Sequence, residues 1–149
     1  MTCTCCSFGS LLATIVAFFL TAVGMAMKKW HKDALNEELW EPYYVDEDNY
    51  DFSGIPVSTQ VCLGMAIMIG VLSSVLIIIV LCKQTKGMQI SAALCGLLSG
   101  VLVGIGVGIL SGYLSPRYGS SFYIVLSGGL LYVVSGIMML VDMLTVPNQ

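Results

Sequence analysis

Residues 57–81 read VSTQVCLGMAIMIGVLSSVLIIIVL and contain no Asp, Glu, Lys, Arg or His. The charge-free run around them extends from Phe52 to Cys82. A helix crosses the hydrocarbon core with about 20 mainly apolar residues, so this stretch predicts a transmembrane span. An amphipathic helix of a water-soluble bundle would need a polar stripe, and none is present.

The same reading extends outward in both directions. Residues 87–116 carry no charge, and from Gly119 to Gln149 the only charge is Asp142. The sequence therefore predicts an all-α membrane protein, one domain over residues 1–149, with spans at about 8–27, 57–81, 90–112 and 122–140. On these boundaries no span holds an Asp, Glu, Lys, Arg or His, and Asp142 falls at the boundary after the fourth. Composition agrees, with 57% hydrophobic residues, 10% charged residues and a mean hydropathy of +0.90. A water-soluble domain carries about 25% charged residues. The first span lacks the basic flank of a signal peptide, since Met1-Thr-Cys-Thr-Cys-Cys-Ser precedes it, and is read as a retained helix.

Charges collect in the segment 28–54, which opens Lys28-Lys29-Trp30-His31-Lys32 and then turns acidic through Asp51. Trp30, Trp40, Tyr43 and Tyr44 are interleaved with the charges. Such aromatics suit a membrane interface, and they are the expected contact residues of this loop. Asp33 is a candidate cap for a short helix over 33–40, which Pro42 would end. Residues 83–89 predict a tight hairpin and 113–121 a turn containing Pro116 and Gly119.

Six cysteines are present, and Cys3, Cys5, Cys6 and Cys82 share the membrane face of the termini. Juxtamembrane thiols are candidates for S-palmitoylation, a cytosolic modification. Inert thiols are the plainer reading, and a metal site lacks a fourth ligand nearby. An extracellular face would favour disulfides instead. Counting Lys and Arg alone slightly favours a cytoplasmic 28–54 loop. The thiol cluster favours the reverse, with cytosolic termini, and that orientation is the one expected here.

Ala92, Gly96, Gly100, Gly104, Gly108 and Gly112 recur every four residues in the third span. Helices in lipid associate through small residues that let backbones approach closely. This row is therefore the expected packing face, against a helix of the same chain or of a partner. Gly104 at its centre is expected to be intolerant of bulk and Gly106, about 200° round the helix, to be more tolerant. The fourth span shows a lesser version in Gly128, Ser135 and Gly136, and the first in Ala13, Ala17 and Gly24.

No chemistry is legible. The single histidine, His31, has no nucleophile near it in sequence, and no Ser-His-acid set or phosphate-cradling loop appears. The acidic run Asp46–Asp51 lacks the glycine and terminal glutamate of an EF-hand. Without a carboxylate in mid-span, a proton-translocating rotor subunit, pump or voltage sensor is disfavoured. An enzyme is not expected, nor are a cofactor, a bound metal or a nucleic-acid partner.

The layout resembles the claudin superfamily, which includes peripheral myelin protein and the epithelial membrane proteins. Trp30 stands after the first span, where that family has a Trp, and Leu39-Trp40 is similar to its first-loop Leu-Trp. Ser58-Thr-Gln-Val-Cys-Leu-Gly resembles the entry to its second span. Thr85-Lys-Gly with Gly96-Leu-Leu-Ser-Gly100, and Ser121-Phe-Tyr with Ser135-Gly-Ile-Met-Met, resemble its inner loop and its third and fourth spans. The resemblance implies cytosolic termini, a plasma-membrane location and a first extracellular loop. Its implied role is cell adhesion or the organisation of membrane contacts, alone or with other membrane proteins. The same superfamily contains auxiliary subunits of channels and receptors, which is the second expectation. A MARVEL-type vesicle-trafficking protein shares the span count and is the third. After Leu39-Trp40 the chain has Glu41, Pro42 and Tyr43 and no loop cysteine, so the family's loop disulfide does not carry over.

Overall fold

Each charge-poor run of the sequence is one long helix. The computed structural model describes residues 4–26, 55–83, 85–113 and 120–145. They form α1 (Thr4–Ala26), α2 (Ile55–Cys82), α3 (Lys86–Tyr113) and α4 (Ser120–Thr145), with no strand among the described residues. Each helix is long and apolar enough to cross a bilayer. Even α1, with 23 residues, is about 35 Å long at 1.5 Å per residue, against about 30 Å of hydrocarbon. The protein is thus an all-α, four-helix, multi-pass membrane bundle.

The helices run further than the expected spans. α3 begins at Lys86, so the α2–α3 connection is shorter than the hairpin expected over 83–89. The Thr85 carbonyl accepts the amides of Met88 and Gln89 at 3.1 and 3.2 Å, which starts α3 at once. α4 continues to Thr145 and carries Asp142 within it. Trp30, Trp40, Tyr43, Tyr44 and Cys3, with the short helix expected at 33–40 and the turn after α3, lie outside the described residues.

Besides buried positions such as Met25, Gly100, Val107 and Gly129, every helix has a row of them alternately three and four residues apart. On α1 they are Ser7, Ser10, Thr14, Ala17 and Thr21, and on α4 Val125, Gly128, Tyr132, Ser135, Met139 and Asp142. On α2 they are Thr59, Leu63, Ala66, Gly70, Ser73, Ile77 and Val80, and on α3 Gln89, Ala92, Gly96, Ser99, Val103 and Gly106. This seven-residue rhythm is that of helices packed nearly antiparallel. α1 lies against α4, α4 against α3 and α3 against α2, with a slighter α1–α2 contact closing the ring. Leu63, Val103, Val125 and Tyr132 lie in one hydrophobic core. Ile77, Ala92, Ala93 and Met139 form a second core, nearer the termini.

Candidate functional site

Two antiparallel helix pairs are registered by polar rungs seven residues apart. In the α2–α3 pair, Ser73 Oγ donates to the Ala92 carbonyl at 3.1 Å and Ser99 Oγ to the Ala66 carbonyl at 3.1 Å. A longer contact of 3.5 Å joins Thr59 Oγ1 to the Gly106 carbonyl. In the α1–α4 pair the rungs pair Ser7 with Asp142, Thr14 with Ser135, and Thr21 with Gly128. Each hydroxyl lowers the cost of its own burial by finding an acceptor, the only way a polar atom is comfortable in lipid.

The α1–α4 seam is the most polar part of the described bundle. Ser7 Oγ donates to Asp142 Oδ2 at 2.6 Å, and both residues are buried. One to two turns deeper, Thr14 Oγ1 donates to the Ser10 carbonyl at 2.8 Å and contacts Ser135 Oγ at 2.5 Å. Ser10 Oγ lies 3.0 Å from the Ser135 carbonyl and 2.7 Å from Ser135 Oγ. With one proton per hydroxyl, an assignment that puts a proton on each of the three shortest contacts follows: Thr14 donates to the Ser10 carbonyl, Ser135 to Thr14 Oγ1, and Ser10 to Ser135 Oγ. Thr21 Oγ1 turns back to the Ala17 carbonyl at 2.8 Å, and a methyl on Gly128 would stand 2.5 Å from Thr21 Oγ1.

Asp142, read from the sequence as lying at the boundary after the fourth span, is within α4, one turn from its end, and buried on the face packed against α1. The helix can carry the carboxylate because Ser7 meets it from α1. An ionisable residue within a membrane helix is a functional position by default.

The glycine row is corrected as well. Ala92, Gly96 and Gly100 are buried in the bundle, as expected. A methyl built on Gly96 would lie 3.3 Å from the Gly136 backbone, and one on Gly100 would meet Val133 and the Gly129 carbonyl. Gly104 and Gly108 are exposed, and a methyl built on either meets no atom of the described residues within 4 Å. Gly106, expected to be tolerant, is buried against Cys62 and Leu63 of α2. The reason is angular. Four residues of α-helix turn about 400°, so a strict four-residue row drifts about 40° per step and winds off the α4 contact after Gly100. The surroundings of Gly112 lie outside the described residues.

Of the candidate thiols, Cys5 and Cys82 are exposed and Cys6 is half-buried. No cluster of three His, Cys, Asp or Glu side chains that would hold a metal occurs among the described residues. Sequence reasoning missed Ser7, Ser10, Thr14, Tyr132 and Asp142. The available signal was the seven-residue spacing of Ser7, Thr14 and Thr21 on α1, matched by that of Gly128, Ser135 and Asp142 on α4. No protein-family model matches the chain, and no curated protein matches it.

Proposed function

We propose that this chain is a non-enzymatic, claudin-like tetraspan of the plasma membrane that organises membrane contacts or cell adhesion, with its termini in the cytosol. The observation that supports this is the use made of the bundle interior. The buried side chains of all four helices are engaged chiefly with one another through hydroxyl rungs and glycine contacts. Recognition of other molecules then falls to the outer surface and to the aromatic, acidic segment between α1 and α2. That segment is the expected extracellular contact, and the partners are the lipid bilayer and other membrane proteins, including further copies of the chain.

A second reading, an auxiliary subunit of a channel or receptor, is favoured by one specific feature. Gly104 and Gly108 open the backbone of α3 on the outer face of the bundle, and small residues four apart are how membrane helices approach closely. Purification of the intact protein in mild detergent separates the two readings. Homo-oligomers, or vesicles that cluster through the protein in trans, support the first; a stoichiometric channel or receptor partner supports the second and overturns the first. A tag inserted at Asn49 tests the orientation, and staining only after permeabilisation would reverse it.

A further inference from the structure

We infer that α1 is an exchangeable helix: the face of α4 that it covers also takes the α1 of a second copy of this chain, so that two copies join by trading their first helices. The inference deepens the homo-oligomer reading proposed above and rests on it.

Connection lengths single out α1. Residues 83–85 are all that separates α2 from α3, and the Thr85 amide closes that turn on the Lys83 carbonyl at 2.7 Å. Residues 114–119 are all that separates α3 from α4. Six residues span at most about 20 Å, so α2, α3 and α4 are held together as one three-helix unit. Between α1 and α2 stand residues 27–54. A segment of that length reaches up to about 90 Å when fully extended, several times the helix diameter of about 10–12 Å. It leaves α1 within reach of the α4 of an adjacent copy.

The contacts of α1 point the same way. Among the described residues, every side-chain hydrogen bond that leaves α1 ends on Ser135 or Asp142 of α4. A methyl on Gly9 would meet Met138, and one on Gly128 would meet Ala17 and Thr21, again across the α1–α4 seam. With α2, α1 makes only the slight contact that closes the ring. It is thus held by the helix furthest away in the chain and scarcely by the one it is joined to. A second copy presents the same Gly128, Ser135 and Asp142 in the same register. An incoming α1 regains every contact it gave up, the slight one with α2 included. Exchange of an identical element is for this reason a low-cost route to a dimer. Only the path of residues 27–54 differs between the two arrangements.

Chemistry selects the occupant. A helix without hydroxyls at this spacing would not offer Asp142 what Ser7 supplies, nor Ser135 what Ser10 and Thr14 supply, and burying polar groups against an apolar surface is unfavourable. A second copy of α1 carries all three hydroxyls. Order of synthesis supplies the occasion. The chain is made from its N-terminus, so α1 exists before α4 does, and the first α4 it meets belongs to its own chain or to a neighbour.

The test uses full chains in which all six cysteines are changed to Ser. One tagged chain carries Ser10→Cys and a differently tagged chain Ser135→Cys, positions whose hydroxyls are 2.7 Å apart in the seam. The two are coexpressed and oxidised in the membrane with copper phenanthroline. A disulfide-linked dimer bearing both tags is expected. Its yield should be several-fold that from Phe19→Cys with Leu130→Cys, positions exposed by 60% and 62% that report collisions alone. A yield no higher than the collision pair overturns the inference, as does closure within a single chain carrying both seam substitutions when the separate chains give no dimer. Ser7→Cys with Asp142→Cys repeats the test nearer the aqueous face, and failure of both seam pairs to cross-link between chains overturns the exchange. Deleting residues 31–52 leaves a connection as short as that between α3 and α4. It should lower the between-chain disulfide several-fold while the doubly substituted single chain still closes, and an unchanged yield overturns the argument from reach. A protein that is dimeric in mild detergent without a between-chain disulfide overturns the exchange alone. One that is monomeric there overturns the homo-oligomer reading with it.

Discussion

Ser7 and Asp142, separated by almost the whole chain, meet at 2.6 Å and join the first turns of α1 to the last turns of α4. Both side chains are buried, so the bond is made where water does not compete for the carboxylate. Removing one partner of a buried hydrogen bond costs about 1–3 kcal/mol. Ser7→Ala should therefore lower the unfolding free energy in detergent by about that amount. Asp142→Asn keeps an acceptor and should cost less than Asp142→Leu, which leaves the Ser7 hydroxyl buried without one. A double-mutant cycle between Ser7→Ala and Asp142→Leu measures the coupling, and additivity within error would remove this bond from the account of α1 docking.

The glycines of α3 divide by what they face. Gly100→Leu and Gly106→Leu each push a side chain into an occupied neighbour, Val133 of α4 in one case and Cys62 with Leu63 of α2 in the other. Overpacking of this kind costs about 1–3 kcal/mol, and folding yield should fall for both. Gly104→Leu meets open space and should leave the yield of the isolated bundle intact. Expression level and monodispersity of the three variants check this order.

At Gly128 the obstacle is backbone as well as side chain. A methyl there would lie 3.0 Å from the Ala17 carbonyl oxygen in addition to its contact with Thr21 Oγ1. Gly128→Ala should consequently weaken α1 docking, and Thr21→Ala should restore only part of the loss, because the carbonyl remains. Thermal unfolding of the two single variants and the double variant measures this; full restoration would mean that the carbonyl contact is unimportant.

Tyr132 crosses the bundle from α4 to α2 and ends against Gly70, where a methyl would stand 2.5 Å from its hydroxyl oxygen and 2.7 Å from two ring carbons. That hydroxyl is buried and has no hydrogen-bond partner among the described residues. Leaving a polar atom unsatisfied costs about 1–3 kcal/mol, so Tyr132→Phe should raise thermal stability. Gly70→Ala should destabilise the protein. Tyr132→Phe will not rescue it, since the ring carbons still collide, whereas Tyr132→Leu should. A destabilised Tyr132→Phe protein would show that the hydroxyl has a partner after all.

How much was legible beforehand differs by feature. Residues 57–81 predicted α2 to within two residues at its N-terminal end and one at its C-terminal end, because a lipid-crossing helix needs only length and an absence of charge. The row Ala92, Gly96, Gly100 was likewise visible, because close packing in lipid demands small residues whatever the neighbour is. The rest of the row misled at Gly104 and Gly108. Spacing within one helix gives the pitch of a stripe, but not the angular position at which a neighbour ends its contact.

The amino-acid sequence by itself determined that this protein has four helices in lipid, their approximate ends, and that both termini share one face. Each of these follows from local hydrophobicity and an even number of crossings. Only the tertiary structure decided that α1 closes on α4, that Asp142 is inside and answered by Ser7, that Gly106 is covered while Gly104 is open, and that Cys5 looks outward while Cys6 does not. Those outcomes depend on the register and rotation of helices far apart in the chain. They are set by pairs such as Ser7 with Asp142 and Thr14 with Ser135, whose partners no local window of sequence contains.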